Sequence, residues 1–168
     1  IFTVSFDMPE PLTDSAILDF PGNILAFTTD SYVVDPLFFP GGNIGKLAVC
    51  GTVNDLAVSG ARPFYLSASF IIEEGFPYAE LSEIAASMAE EAHKAGIKIV
   101  TGDTKVVEKG KCDGLFITTS GAGVLLPRRD HISSGNRIRP GDKLLINGPL
   151  GNHSIAVLGA RKDLSFTT

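Results

Sequence analysis

The chain has 168 residues, 44% of them hydrophobic and 20% charged, with a formal net charge of −5. That length accommodates one core-bearing domain and the start of another, in the ordinary composition of a folded soluble protein. The acidic balance, with no basic tract beyond Arg128-Arg129, argues against a nucleic-acid partner, and no apolar run approaches the roughly 18–20 residues that cross a bilayer.

Residues 1 to 23 carry Pro9, Pro11, Pro21 and Gly22 and are predicted to be irregular. The opening Ile1-Phe2-Thr3-Val4 reads as the start of a fragment and shows no secretory pattern. Ile24 to Ser31 is predicted as a buried strand and Tyr32 to Pro40 as a loop. Gly41 and Gly42 then precede a helix from Ile44 to Ser59, ended by Gly60 and Pro63. This helix is apolar almost all round, which places it in the interior and makes Asp55 conspicuous. Lys46 lies nine residues before Asp55; at about 100° per residue the two project from opposite sides. Cys50 reads as a small buried hydrophobe. With Cys112 it is one of only two cysteines, without metal-ligand spacing, as expected in a reducing, cytosolic setting.

Pro63 to Glu73 is predicted as a strand. Pro77 opens a helix with Leu81, Ile84, Ala85, Met88 and Ala92 on one stripe, its glutamates and His93 solvated, and Gly96 closing it. Ile97 to Thr101 is a short strand running into Gly102-Asp103-Thr104. Lys105–Val107 and Leu115–Leu125 are expected to form a hairpin. A linker follows from Pro127 to Pro140, then a strand from Lys143 to Asn147 and a helix in which His153 is a structural start residue. Residues 1–126 thus form a first domain, and 140–168 the beginning of a truncated second one. Segregated strands and helices favour an α+β fold.

Asp30, Asp55 and Asp103 each lie among small residues near the end of an apolar segment. Any one of them could be a cap, a turn or an ion pair. Together, among glycines and with Lys46 and Lys105 nearby, they suggest Mg²⁺ on a nucleotide phosphate, since Mg²⁺ takes a few carboxylates plus phosphate oxygens. There is no Gly-x-x-x-x-Gly-Lys-Ser/Thr loop and no dinucleotide-binding Gly-x-Gly-x-x-Gly after a strand.

Three blocks, Phe27-Thr28-Thr29-Asp30-Ser31-Tyr32, Pro40-Gly41-Gly42-Asn43-Ile44-Gly45-Lys46 and Val53-Asn54-Asp55-Leu56-Ala57, are joined by Glu73-Glu74-Gly75-Phe76-Pro77 and Val100-Thr101-Gly102-Asp103-Thr104-Lys105. With them the chain, over about residues 14 to 160, resembles the superfamily of aminoimidazole ribonucleotide synthetase and selenophosphate synthetase, and closely its HypE family of carbamoyl dehydratases. The resemblance implies an N-terminal ATP-binding α+β domain, a mixed or antiparallel sheet covered by helices, followed by the start of a second α/β domain. It also implies a homodimer formed through the sheet, with ATP in a cleft near the subunit junction. Asp30, Asp55 and Asp103 match acidic positions expected to hold Mg²⁺ and the phosphates, and Asp14 a further metal-binding position. Lys46, Asn54, Thr104 and Lys105 match positions expected to bind ATP. The implied activity is ATP-dependent dehydration of a C-terminal S-carboxamide to thiocyanate, supplying cyanide to the iron of nickel–iron hydrogenase. The implied partners are the carbamoyltransferase HypF and the HypC–HypD iron scaffold. The acceptor cysteine of that reaction is neither Cys50 nor Cys112, so no catalytic residue is assigned and turnover by these 168 residues alone is not expected. The glycine-rich N-terminal segment usual in the family is also absent. Two other readings are a related ATP-dependent enzyme, such as a thiamine-monophosphate kinase, and a non-catalytic dimerisation module.

Overall fold

The structure is a computed structural model that describes residues 13–161. Strands β1 (Ala16–Phe20) and β2 (Asn23–Tyr32) lead through a two-residue pair, β3 (Phe38–Phe39) and β4 (Gly42–Asn43), into helix α1 (Ile44–Val58). Strand β5 (Ala61–Glu73), helix α2 (Tyr78–Ala95), and strands β6 (Lys98–Val107) and β7 (Leu115–Leu125) complete the main body. The short helix α3 (Asp130–Ser134) and helix α4 (Asn152–Ala160) follow.

The five long strands form one mixed sheet in the order β1-β2-β7-β5-β6, parallel only between β5 and β6. The parallel step is the one joined through α2, as a crossover requires. Strict alternation along β7 separates the two faces: Leu115, Ile117, Thr119, Gly121, Gly123 and Leu125 are buried, and the residues between them are half-buried. The buried face packs on α1 and α2, with Ile44, Leu56, Leu66, Ile84, Leu115 and Ile117 among its fully enclosed side chains. Among the described residues no helix covers the other face, which exposes Phe20, Phe27 and Tyr65. Here lies the α+β layering expected from the sequence, one sheet with α1 and α2 packed on one side.

Local chemistry accounts for the element ends. The Asn43 side chain accepts from the Gly45 and Lys46 amides and caps α1. Gly96 ends α2 in the left-handed region, at φ 68°. Gly96→Ala is expected to cost about 1 kcal/mol, because an L side chain is strained there; a urea titration of the variant checks this.

Four expectations are corrected. Residues 98–107 form one continuous strand with Gly102-Asp103-Thr104 inside it. This strand and β7 are not a hairpin, because β5 lies between them. The end of β5 is bonded to both, through Glu73 N to the Gly114 carbonyl and Glu74 N to the Val107 carbonyl, so the polar connection straddles β5. Of the stretch predicted to be irregular, residues 1–12 lie outside the described residues, and Pro21 and Gly22 turn β1 back onto β2 with Phe20 opposite Asn23. Lys143–Asn147 is not a strand: Leu144 and Leu145 are 99% and 91% exposed, and no described strand pairs with the segment. Among the described residues, no helix is long and apolar enough to cross a membrane.

Candidate functional site

Asp55 sits in the last full turn of α1, where the chain must leave a buried helix. Its carbonyl accepts from the Ser59 amide, from Ser59 Oγ at 2.7 Å and from Ser15 Oγ at 3.1 Å, which closes the helix end and pins the start of β1 to it. Its carboxylate Oδ2 lies 3.3 Å from Thr28 Oγ1, which also donates to the Asp14 carbonyl at 2.8 Å. Thr28 thereby bridges the segment bearing Asp14 to Asp55. Asp30 follows two residues later on the same, helix-covered face of β2.

The electrostatics of this corner are those of a site short of cations. Burial, first, and then the charge of Asp30 push the Asp55 carboxyl above its ordinary pKa; Thr28 opposes the shift and Asp14 adds to it. Next to Asp30, the Tyr32 hydroxyl is pushed up to about 12, chiefly by burial. Like charges on Asp14, Asp30 and Asp55 repel unless a cation intervenes. These are hard oxygen donors, suited to Mg²⁺ or a similar ion. Among the described residues, no group of three or more His, Cys, Asp or Glu is placed to hold a metal ion. An open set of carboxylates is what Mg²⁺ carrying phosphate needs, since phosphate and water complete its shell.

The other candidates, Asn54 apart, lie elsewhere in the chain. Asn54 is exposed on α1 beside Asp55. Lys46, in the first turn of α1, points toward α2, with Nζ 3.8 Å from Glu91 Oε1; it and Asp55 face apart. With Phe39, Cys50 and His153 it lines a cavity of about 340 Å³ between α1 and α4. Cys50 is half-buried there rather than fully enclosed, 3.8 Å from Glu91, and burial and that carboxylate push its thiol pKa up.

Asp103, Thr104 and Lys105 lie on the exposed edge strand β6, three strands from Asp30, about 14 Å at ordinary strand spacing. Register places Asp103 in a row with Ser69, Thr118 and Ser31 on the uncovered face, while Thr104 pairs with Phe70 on the helix face. Asp103 and Thr104 border a cleft of about 1030 Å³ between α2 and β6, also lined by Met88 and His93. A single chain thus gathers Asp14, Asp30 and Asp55 and leaves Asp103 apart. Thr28 and Ser15, which organise the corner, carried no motif of their own. The signals available were that Thr28 shares the strand face of Asp30 and falls within the block Phe27-Thr28-Thr29-Asp30-Ser31-Tyr32.

Comparison with known proteins agrees with this architecture. The family model of the AIR synthase related protein, N-terminal domain, matches residues 12–125. A carbamoyl dehydratase HypE of Rhodobacter capsulatus is 57% identical over 173 residues, covering 100% of this chain and 50% of that protein. A solved HypE–HypF complex superposes with a TM-score of 0.87 at 54% identity, over 99% of this chain and 54% of the matched one. A HypE in complex with ATP superposes at 0.80 with 52% identity, over 99% of this chain and 50% of the matched one. The chain spans about half the length of the curated relatives it matches. A helix-backed mixed sheet with this sequence over residues 12–125 belongs to the AIR synthase related protein family, as its N-terminal domain.

Proposed function

We propose that this chain is the ATP- and Mg²⁺-binding, dimerising part of a HypE-type carbamoyl dehydratase. The observation that carries the reading is the corner formed by Asp14, Asp30 and Asp55, where burial and like charge raise the Asp55 pKa and, among the described residues, only one side-chain hydroxyl reaches its carboxylate. Asp30 and Asp55, with Asp14 beside them, would hold Mg²⁺, which supplies charge neutralisation for phosphoryl transfer. Asn54 borders the same corner and would orient the nucleotide.

The uncovered sheet face supports dimerisation, since Phe20, Phe27 and Tyr65 stand exposed on it and a second copy would remove them from water. Asp103 and Lys105 share that face, so pairing would carry them, and Thr104 of the same strand, to the junction as the remaining metal and ATP ligands. Lys46 would act at the other edge of the cleft. Residues 1–126 constitute this domain in our reading and 140–168 the start of the next. In the whole protein, ATP would activate the oxygen of an S-carboxamide on a C-terminal cysteine, and loss of phosphate would leave a thiocyanate. Cyanide then goes to hydrogenase iron, in the cytoplasm, with HypF and the HypC–HypD scaffold as partners.

Calorimetric titration of the chain with ATP, with and without Mg²⁺, is the test. Binding that strengthens at least tenfold with Mg²⁺ is expected, a gain of about 1.4 kcal/mol. Binding indifferent to Mg²⁺ would remove the carboxylate corner from the site.

A further inference from the structure

Directly beneath the carboxylate corner runs a chain of buried hydroxyls that the site as described does not use. Tyr32 Oη lies 3.2 Å from Thr52 Oγ1, Thr52 Oγ1 bonds to Thr119 Oγ1, and Thr119 Oγ1 donates to the Ala48 carbonyl at 3.2 Å. Thr52 and Thr119 are fully enclosed and Tyr32 nearly so. Apolar groups would pack in these places at no hydrogen-bonding cost, whereas buried hydroxyls need directional partners. Packing alone therefore does not explain them.

Their placement is informative. Tyr32 stands two residues after Asp30 on the same face of β2, and Thr119 on β7 is the cross-strand partner of Asp30. Thr52 lies one turn before Asp55 on α1, and Ala48 one turn before that. The strand that carries Asp30 and its neighbour β7 are thus tied to the two helical turns that lead to Asp55. Gly51 permits the contact, because a Cβ there would collide with the Tyr32 hydroxyl. With Thr119 donating to Ala48 and Thr52 to Thr119, the Tyr32 proton is left for Thr52 or for the neighbouring Asp30 carboxylate.

We infer that Tyr32, Thr52 and Thr119 form a positioning clamp that holds α1 against β2 and β7, so that Asp30 and Asp55 keep the spacing a phosphate-bound divalent cation requires. The inference rests on the ATP-binding reading above and deepens it. A site of this kind tolerates displacements of only about 0.5 Å, and a helix anchored by apolar contacts alone can slide by more.

The test is ATP calorimetry on the same chain, with and without Mg²⁺, for Thr52→Val, Thr52→Ser and Tyr32→Phe. Thr52→Val and Tyr32→Phe are expected to weaken the Mg²⁺-dependent affinity about five- to tenfold and to leave Mg²⁺-free ATP binding unchanged. Thr52→Ser, which keeps the hydroxyl, should restore the unaltered affinity within about twofold. Circular dichroism establishes that each variant is folded at the titration temperature; should Thr52→Val fail to fold, Tyr32→Phe, which retains the ring, decides. Unchanged Mg²⁺-dependent affinity in the variants, while Asp55→Asn loses it, would overturn the clamp and leave the site intact. Equal losses with and without Mg²⁺ would reduce the hydroxyls to general packing and overturn the clamp as well. If the unaltered chain shows no Mg²⁺-dependent binding, the site reading fails and the clamp fails with it.

Discussion

Asp55→Asn is expected to lower the Mg²⁺-dependent affinity for ATP by about 100-fold, as loss of a charged ligand does, while the metal-free protein keeps or gains stability. The two effects have opposite signs for one reason. Without a cation, burial and the charges of Asp30 and Asp14 disfavour the ionised carboxylate; with a cation, that same charge density is what binds it. Because the folded pKa of Asp55 is raised, its stabilising contribution is present below the ordinary carboxylate range and lost as pH rises through the folded value. Between acid and neutral pH the melting temperature of the metal-free chain should therefore fall more than that of the Asn variant. Other carboxylates titrate in both proteins, so the difference between the two curves is the quantity to measure. Mg²⁺ with ATP should reverse the ordering at neutral pH, by stabilising the unaltered chain alone. Wild-type affinity in the Asn variant would exclude Asp55 from the site. Parallel pH curves would mean that its carboxylate is not strained in the metal-free fold.

The second large effect concerns stability. Ile84→Ala should destabilise the chain by about 3 kcal/mol, the usual range for deleting a fully buried branched side chain. Its melting temperature should drop by roughly 6–12 °C at this chain length. Ile84 is completely enclosed where α2 crosses α1. Opposite it stands Gly45, at which any Cβ would overlap the Ile84 carbonyl and side chain. The helices meet so closely because Gly45 has no side chain, and neighbouring groups have little room to collapse into the space that Ala would leave. Glu83, the exposed neighbour, supplies the control: Glu83→Ala should change stability by less than about 0.5 kcal/mol. Equal melting temperatures for the two variants would show that the α1–α2 crossing is not where the core is anchored.

Much of this architecture was legible in the chain. The apolar stripe of Leu81, Ile84, Ala85, Met88 and Ala92, closed by Gly96, marked α2 because helical period and a left-handed cap are local properties, although Ala85 stands exposed at its margin. The all-round apolar character of residues 44–58 marked α1 as interior, and it packs against both the sheet and α2. Lys143–Asn147 shows the limit. An apolar run has the composition of a strand, but a strand exists only with a partner for its backbone groups, and Leu144–Ile146 has none among the described residues.

The same boundary runs through the candidate site. The sequence by itself determined which residues carry charge among small and apolar neighbours, Asp30, Asp55 and Asp103, and that Lys46 and Asp55 leave α1 on opposite sides; both follow from residue identity and helical pitch. Only the tertiary structure decided which carboxylates meet. Strand order put β2 beside β7 and sent β6 to the far edge, so Asp30 faces Asp55 across the α1–sheet seam while Asp103 stands on the opposite face. It also brought Thr28, Tyr32, Thr52 and Thr119 under that corner from three separate elements. Pairing of this kind depends on long-range register, and long-range register is set by how the whole sheet closes over its helices, not by any local run of residues.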